Sequence, residues 1–119
     1  MKIAFVFPGQ GSQAVGMLDS FAGDAAAMDV VRRADAALGQ PLSQLIAKGP
    51  AEDLALTVNT QPAMLVASMA MYAAWRAAGG AVPAAMAGHS LGEYSALTAS
   101  GVFTLEDAVQ LVRFRAQAM

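Results

Sequence analysis

Ser90 is the residue whose setting most invites chemistry. It sits at the centre of Gly88-His89-Ser90-Leu91-Gly92, a Gly-x-Ser-x-Gly pentapeptide. Small apolar residues, Ala84 to Ala87, lead into it and suit a short buried strand. After it, Leu91, Tyr94, Ser95, Leu97 and Thr98 recur at helical spacing. That order is the layout of a nucleophile elbow. A sharp strand-to-helix turn pushes one side chain out at the C-terminal edge of a sheet and crowds the residues two before and two after it. Glycine at 88 and 92 removes the crowding. The Leu91 N–H and the start of the next helix then face the point where a tetrahedral oxyanion would form. The same five residues also suit an ordinary strand-to-helix turn, so the pentapeptide alone leaves both readings open.

Arg115 is the second candidate. The last helix is predicted to begin at Thr104-Leu105-Glu106-Asp107, a cap followed three residues later by a carboxylate. Glu106, Gln110, Arg113 and Gln117 form a polar stripe on it, which makes Arg113 a solvated charge. Leu105, Ala108, Val112, Arg115 and Met119 form the other row, so Arg115 is expected to be partly buried among apolar neighbours. That is costly unless an anion meets it. A structural ion pair with Glu93 or Asp107 would serve. So would a substrate carboxylate, which a planar guanidinium holds with two hydrogen bonds. The helix pattern does not choose between them.

The elements that must carry these residues follow from the order of the chain. Ile3 to Phe7 is a continuous apolar run ended by Pro8-Gly9, predicted to be a strand buried on both faces. Gly9 to Gln13 is a glycine loop that lacks the pattern of a phosphate loop or a dinucleotide fingerprint. Asp24 to Leu38 has helical spacing and Gly39 at the stop position. Pro41 to Lys48 reads as a short helix and Pro50 to Leu56 as a further turn. A long helix is predicted from Thr60-Gln61-Pro62, with proline in its first turn, to Ala78. Its Met64, Ala67, Met71 and Trp75 are assigned to the core. Pro83 then precedes the strand of the elbow. Strand, glycine loop, helices, strand, elbow, helix, helix is an α/β order with a parallel sheet, in one domain over residues 1–119.

Composition excludes several functions. Of the 119 residues, 56% are hydrophobic and 13% charged, which is too little polar surface to cover a small sphere and fits a piece of a larger protein. Net charge of −2 with scattered Lys and Arg argues against nucleic acid. Without cysteine there is neither a disulfide framework nor thiolate chemistry. The longest apolar run, Ala63 to Trp75, falls short of the roughly 20 residues of a membrane span. The start lacks a signal-peptide pattern, so a cytoplasmic protein is expected.

Three separated stretches resemble one family together: Phe7-Pro8-Gly9-Gln10-Gly11-Ser12-Gln13, Thr60-Gln61-Pro62-Ala63 and Gly88-His89-Ser90-Leu91-Gly92-Glu93-Tyr94. They are similar to the malonyl-CoA:acyl carrier protein transacylases, whose motifs also mark acyltransferase domains of polyketide and fatty acid synthases. The free-standing bacterial enzymes are the nearer likeness, because Met1 leads directly into the first strand. The resemblance implies an α/β-hydrolase-like large subdomain with a parallel sheet and flanking helices. It also implies transfer of the malonyl group from malonyl-CoA to the phosphopantetheine thiol of acyl carrier protein through a malonyl-serine ester at Ser90. CoA and phosphopantetheine are substrate carriers, and no metal or other cofactor is implied. Gln10 and Leu91 fall at the oxyanion-hole donors, Arg115 at the arginine for the malonyl carboxylate, and Gln61 at a glutamine that helps order the site.

The family's general base is a histidine well downstream, and it also has a small ferredoxin-like subdomain. The only histidine here is His89, which a sharp elbow would turn away from Ser90 and which reads as a satisfied structural residue. Residues 1–119 are therefore expected to be the N-terminal part of the large subdomain, incomplete without its C-terminal part. Two other readings stay open. One is a serine thioesterase or hydrolase; the other is a fragment inert until a complementary chain joins it.

Overall fold

Local capping fixes the first long helix, α1 (Ala25–Leu38), in the computed structural model, which describes residues 2–119. The Asp24 carboxylate accepts the Ala27 N–H at 2.9 Å, and Gly39 ends the helix at φ 66°, the left-handed region that favours glycine. Before it lies strand β1 (Ala4–Phe7); after it come α2 (Leu42–Lys48), α3 (Ala51–Leu54) and α4 (Thr57–Ala77). Strand β2 (Ala85–Gly88), α5 (Leu91–Ala99) and α6 (Leu105–Ala118) complete the order. The Thr104 hydroxyl caps α6 by accepting the Asp107 N–H at 3.1 Å, as the sequence predicts.

The two strands pair in parallel, with Ala4 opposite Ala85 and Phe7 opposite Gly88. Both therefore end at the same edge, and the glycine loop after β1 lies beside the elbow after β2. Helix α4 forms the centre of the molecule. Every residue from Thr60 to Ala70 is buried, because α1, α5 and α6 pack around it. Phe5 and Phe7 reach it from β1, meeting the Tyr72 ring edge-on at 5.8 and 6.4 Å. No helix is long and apolar enough to cross a membrane among the described residues.

Three expectations need correction. The strands are not buried on both faces: Ala4, Val6, Ala85 and Ala87 are exposed, Val6 at 79%. Burial on both faces requires helices on each side of a sheet, and here the helices lie against the side of Phe5 and Phe7. Met64 and Ala67 are core residues as expected, but Met71 and Trp75 are partly exposed at 39% and 38%, with Trp75 packed on the Phe5 ring at 5.5 Å at the rim of the core. Finally, α4 starts at Thr57 rather than beside Pro62, which places the proline inside the helix. The further turn expected over Pro50–Leu56 is present: α3 is followed by a turn closed by the Leu56 N–H donating to the Asp53 carbonyl, and Leu56 immediately precedes α4.

Candidate active site

The chain reverses direction at Ser90 with φ 56° and ψ −119°, the one non-glycine residue at positive φ among those described. A residue held there costs on the order of 1–3 kcal/mol and marks a turn fixed by its surroundings. The surroundings are the two glycines. A Cβ on Gly88 would lie 2.1 Å from the Gly92 carbonyl carbon and oxygen, which is the predicted crowding across the elbow. A Cβ on Gly92 would instead lie 2.2 Å from the Phe7 carbonyl oxygen, so this glycine lets α5 rest on the end of β1. The Ser90 side chain is exposed at this edge, while Leu91 is buried and anchors the helix start. The Leu91 N–H belongs to the first helical residue and has no intrahelical acceptor.

The glycine loop closes on the same point. At Gly9 a Cβ would stand 3.1 Å from the His89 carbonyl oxygen and 3.9 Å from the Leu91 nitrogen. Gln10, the next residue, is tied down by its side chain, whose Nε2 donates to Thr57 Oγ1 at 3.1 Å. Loop, elbow and the N-terminus of α4 thus meet at one corner.

Arg115 reaches that corner from α6. It is half-buried, as its row on the helix predicts. Its Nη2 donates to Ser90 Oγ at 3.2 Å, its Nη1 donates to Gln61 Oε1 at 2.6 Å, and Cζ lies 5.3 Å from the centre of the Tyr94 ring. Gln61 is 1% exposed, so its carboxamide is fixed by the core and holds the guanidinium in turn. Its Nε2 contacts Met119 Sδ at 3.0 Å. The ion pair considered from sequence is not made. Neither Glu93 nor Asp107 meets Arg115, and the three ion pairs among the described residues belong to Arg32 and Arg33. Arg115 is therefore positioned by neutral partners with its charge unmatched, beside an exposed serine hydroxyl.

Two other sequence expectations fail here. Arg113 is not a solvated charge. It is half-buried, its Nε donates to the Val58 carbonyl at 2.7 Å and its Nη1 to Gln40 Oε1 at 2.5 Å. Burial pulls its guanidinium below the usual arginine range. The polar stripe of α6 is a packing face as well: Gln110 Nε2 donates to the Ala37 carbonyl at 3.0 Å, and Glu106 takes two 2.8 Å bonds from Arg33. His89, read as a satisfied structural histidine, is exposed. Sequence reasoning missed Thr57, Tyr94 and Arg113 as residues that touch or support the site. For Arg113 no local signal existed, because a proline read in the first turn of a helix deprives no carbonyl of its donor.

Ser90, Gln61 and Arg115 are linked by hydrogen bonds, Leu91 follows Ser90 at the helix start, and Gln10 follows the glycine that meets the elbow, with Gly88 and Gly92 shaping the turn. A serine on an elbow, the Leu91 N–H at a helix start and a guanidinium with no carboxylate partner suit nucleophilic attack on a substrate that carries an anion.

Comparison with known proteins places the chain among relatives of one kind. The family described as acyl transferase domain matches residues 4–119. Malonyl CoA-acyl carrier protein transacylase of Escherichia coli strain K12 is 54% identical over 119 residues, covering 99% of this chain and 38% of the relative. The crystal structure of an acyl-carrier-protein S-malonyltransferase from Burkholderia pseudomallei 1710b superposes with a TM-score of 0.98 at 60% identity, covering 100% of this chain and 39% of that one. A malonyl-transacylase solved in complex with a type II polyketide acyl-carrier protein superposes with a TM-score of 0.93 at 45% identity, over 98% of this chain and 38% of that one. The chain spans less than half the length of each of these relatives.

Proposed function

The chain belongs to the acyl transferase domain family, and from that premise we propose that it carries the N-terminal part of the active site of a malonyl-CoA:acyl carrier protein transacylase. Ser90 Oγ attacks the thioester carbonyl of malonyl-CoA and gives its proton to a general base. The tetrahedral oxyanion is met by the N–H groups of Leu91 and Gln10. Collapse breaks the carbon–sulfur bond, and CoA leaves as its thiolate and takes up the proton, with malonyl-serine remaining. The phosphopantetheine thiol of acyl carrier protein then attacks this ester, with the same base taking the thiol proton and returning it to Ser90 Oγ. The product supplies malonyl units for fatty acid synthesis; delivery to a polyketide carrier uses the same chemistry.

Arg115 binds the malonyl carboxylate, and Gln61 and Tyr94 hold it in place for that purpose. The base is supplied by the part of the enzyme that relatives have beyond the matched region, so this chain alone is inactive until that part joins it. One observation carries the reading: Arg115 stands 3.2 Å from Ser90 Oγ and no carboxylate of the described residues neutralises it. A serine thioesterase of neutral acyl groups has no use for such a charge.

The test is Arg115→Ala in the chain completed by the C-terminal segment of the E. coli relative. Removing the partner of a desolvated charge predicts a fall in kcat/KM for malonyl-CoA of about 100-fold or more, against less than about tenfold for acetyl-CoA. Equal losses for the two substrates would remove Arg115 from carboxylate recognition.

A further inference from the structure

Pro62 is the sixth residue of α4, where a helix ordinarily closes an N–H bond to the carbonyl of residue 58. Proline has no N–H to give, and its ring crowds that carbonyl. Val58 O is thereby left without its helical donor, beside residues 60 to 62 that are fully buried. Arg113 of α6 supplies the donor through Nε at 2.7 Å. Its Nη2 is buried without a partner among the described residues, so the guanidinium accepts an unmet bond in order to stay where it is.

Two residues on, Arg115 donates to Gln61 on the same helix. Residues two apart project from nearly opposite sides of α6. The two arginines therefore straddle it and grip one turn of α4, at Val58 and Gln61. A slide or roll of α6 would break one grip or the other. We propose that Arg113 is a positioning residue which, through the carbonyl released by Pro62, sets the register of α6 on α4 and so places Arg115 between Gln61 and Ser90. Its catalytic consequence rests on the function proposed above; the placement itself does not.

The test reads placement directly in the 119-residue chain, without substrate. The Nη proton signals of Arg115 are expected to be resolved in NMR while its bonds to Gln61 and Ser90 restrict rotation. Arg113→Met is expected to merge them and to raise the unfolding equilibrium constant roughly tenfold. Arg113→Lys keeps one donor and should leave them resolved. Pro62→Ala restores a main-chain donor to Val58 O. In that background Arg113→Met should change the unfolding constant by less than about threefold, because the carbonyl no longer goes unmet. The Arg115 signals should still merge there, because the grip is gone. Resolved Arg115 signals in Arg113→Met or in the double variant would overturn the proposal, as would an equal stability penalty in both backgrounds. Should Arg113→Met fail to fold, the double variant decides: it must fold, and a double variant that does not fold also overturns the proposal.

Discussion

Ser90 is held at φ 56° because the elbow leaves it no alternative, and Gly88 is the residue that enforces this. A Cβ at Gly88 would stand 2.1 Å from the backbone of Gly92, with no flexible side chain to move aside. Gly88→Ala is therefore predicted to destabilise the chain by about 3 kcal/mol or more, read from its urea midpoint; a loss under about 1 kcal/mol would contradict the geometry. This steric logic was legible in the sequence, because it depends only on a strand, a helix and the five residues between them. The half-burial of Arg115 was legible for a similar reason, since a helix row needs no tertiary knowledge. Its partners were not. A wheel diagram of α6 gives directions and not neighbours, so it offered Glu93 and Asp107 where the fold supplies Gln61, Tyr94 and Ser90. Arg113 was misread by the same limit: the side called solvent is the side that α1 and α4 occupy.

At the scale of elements, caps behave as local sequence dictates and contacts between helices do not. Gly39 and Thr104 bound their helices as the sequence predicts, and Asp24, read from sequence as the first helical residue, is the cap of α1. Thr104→Ala removes the acceptor for the Asp107 N–H and is expected to cost about 1 kcal/mol, checked by chemical denaturation; no loss would mean that water replaces the cap. The start of α4 was misplaced because Pro62 resembles a first-turn proline, and nothing local reveals that Arg113 satisfies the carbonyl behind it. The join of α1 to α6 also has a pH signature. Hydrogen bonds from Arg33 hold the Glu106 carboxyl below its ordinary range, and the carboxylate raises Arg33. A lowered carboxyl pKa stabilises the fold above the unfolded value of about 4.3, and that stabilisation is lost as pH falls through the folded value. Both side chains are more than a third exposed, 40% and 42%, so solvent screening keeps the pair below about 1 kcal/mol. Glu106→Gln should thus cost little at neutral pH and nothing once pH drops to about 2; a difference surviving in acid would assign its role to packing.

For the whole molecule the decisive feature is a sheet of two strands among the described residues, open along both edges, with Val6 79% exposed on one face. The α/β class and the parallel order were legible from the alternation of apolar runs and helices. Strand burial was not, because a short apolar run does not say whether helices cover one face of its sheet or both. Low charge was the better guide, since it announced apolar surface in need of cover. Coverage of 38–39% of the relatives is consistent with that surface being an interior face of a larger enzyme. Amides of β1 and β2 are accordingly predicted to exchange rapidly in the chain alone, and to gain protection when the C-terminal segment of the E. coli relative is added; unchanged exchange would mean that the two pieces do not assemble. The most direct test of the account is an intact-mass spectrum of that assembled mixture before and after malonyl-CoA, with Ser90→Ala beside it. A malonyl-sized increment on the 119-residue chain that disappears in Ser90→Ala is the predicted result. An increment that persists in the variant, or lies on the other segment, would contradict Ser90 as the nucleophile.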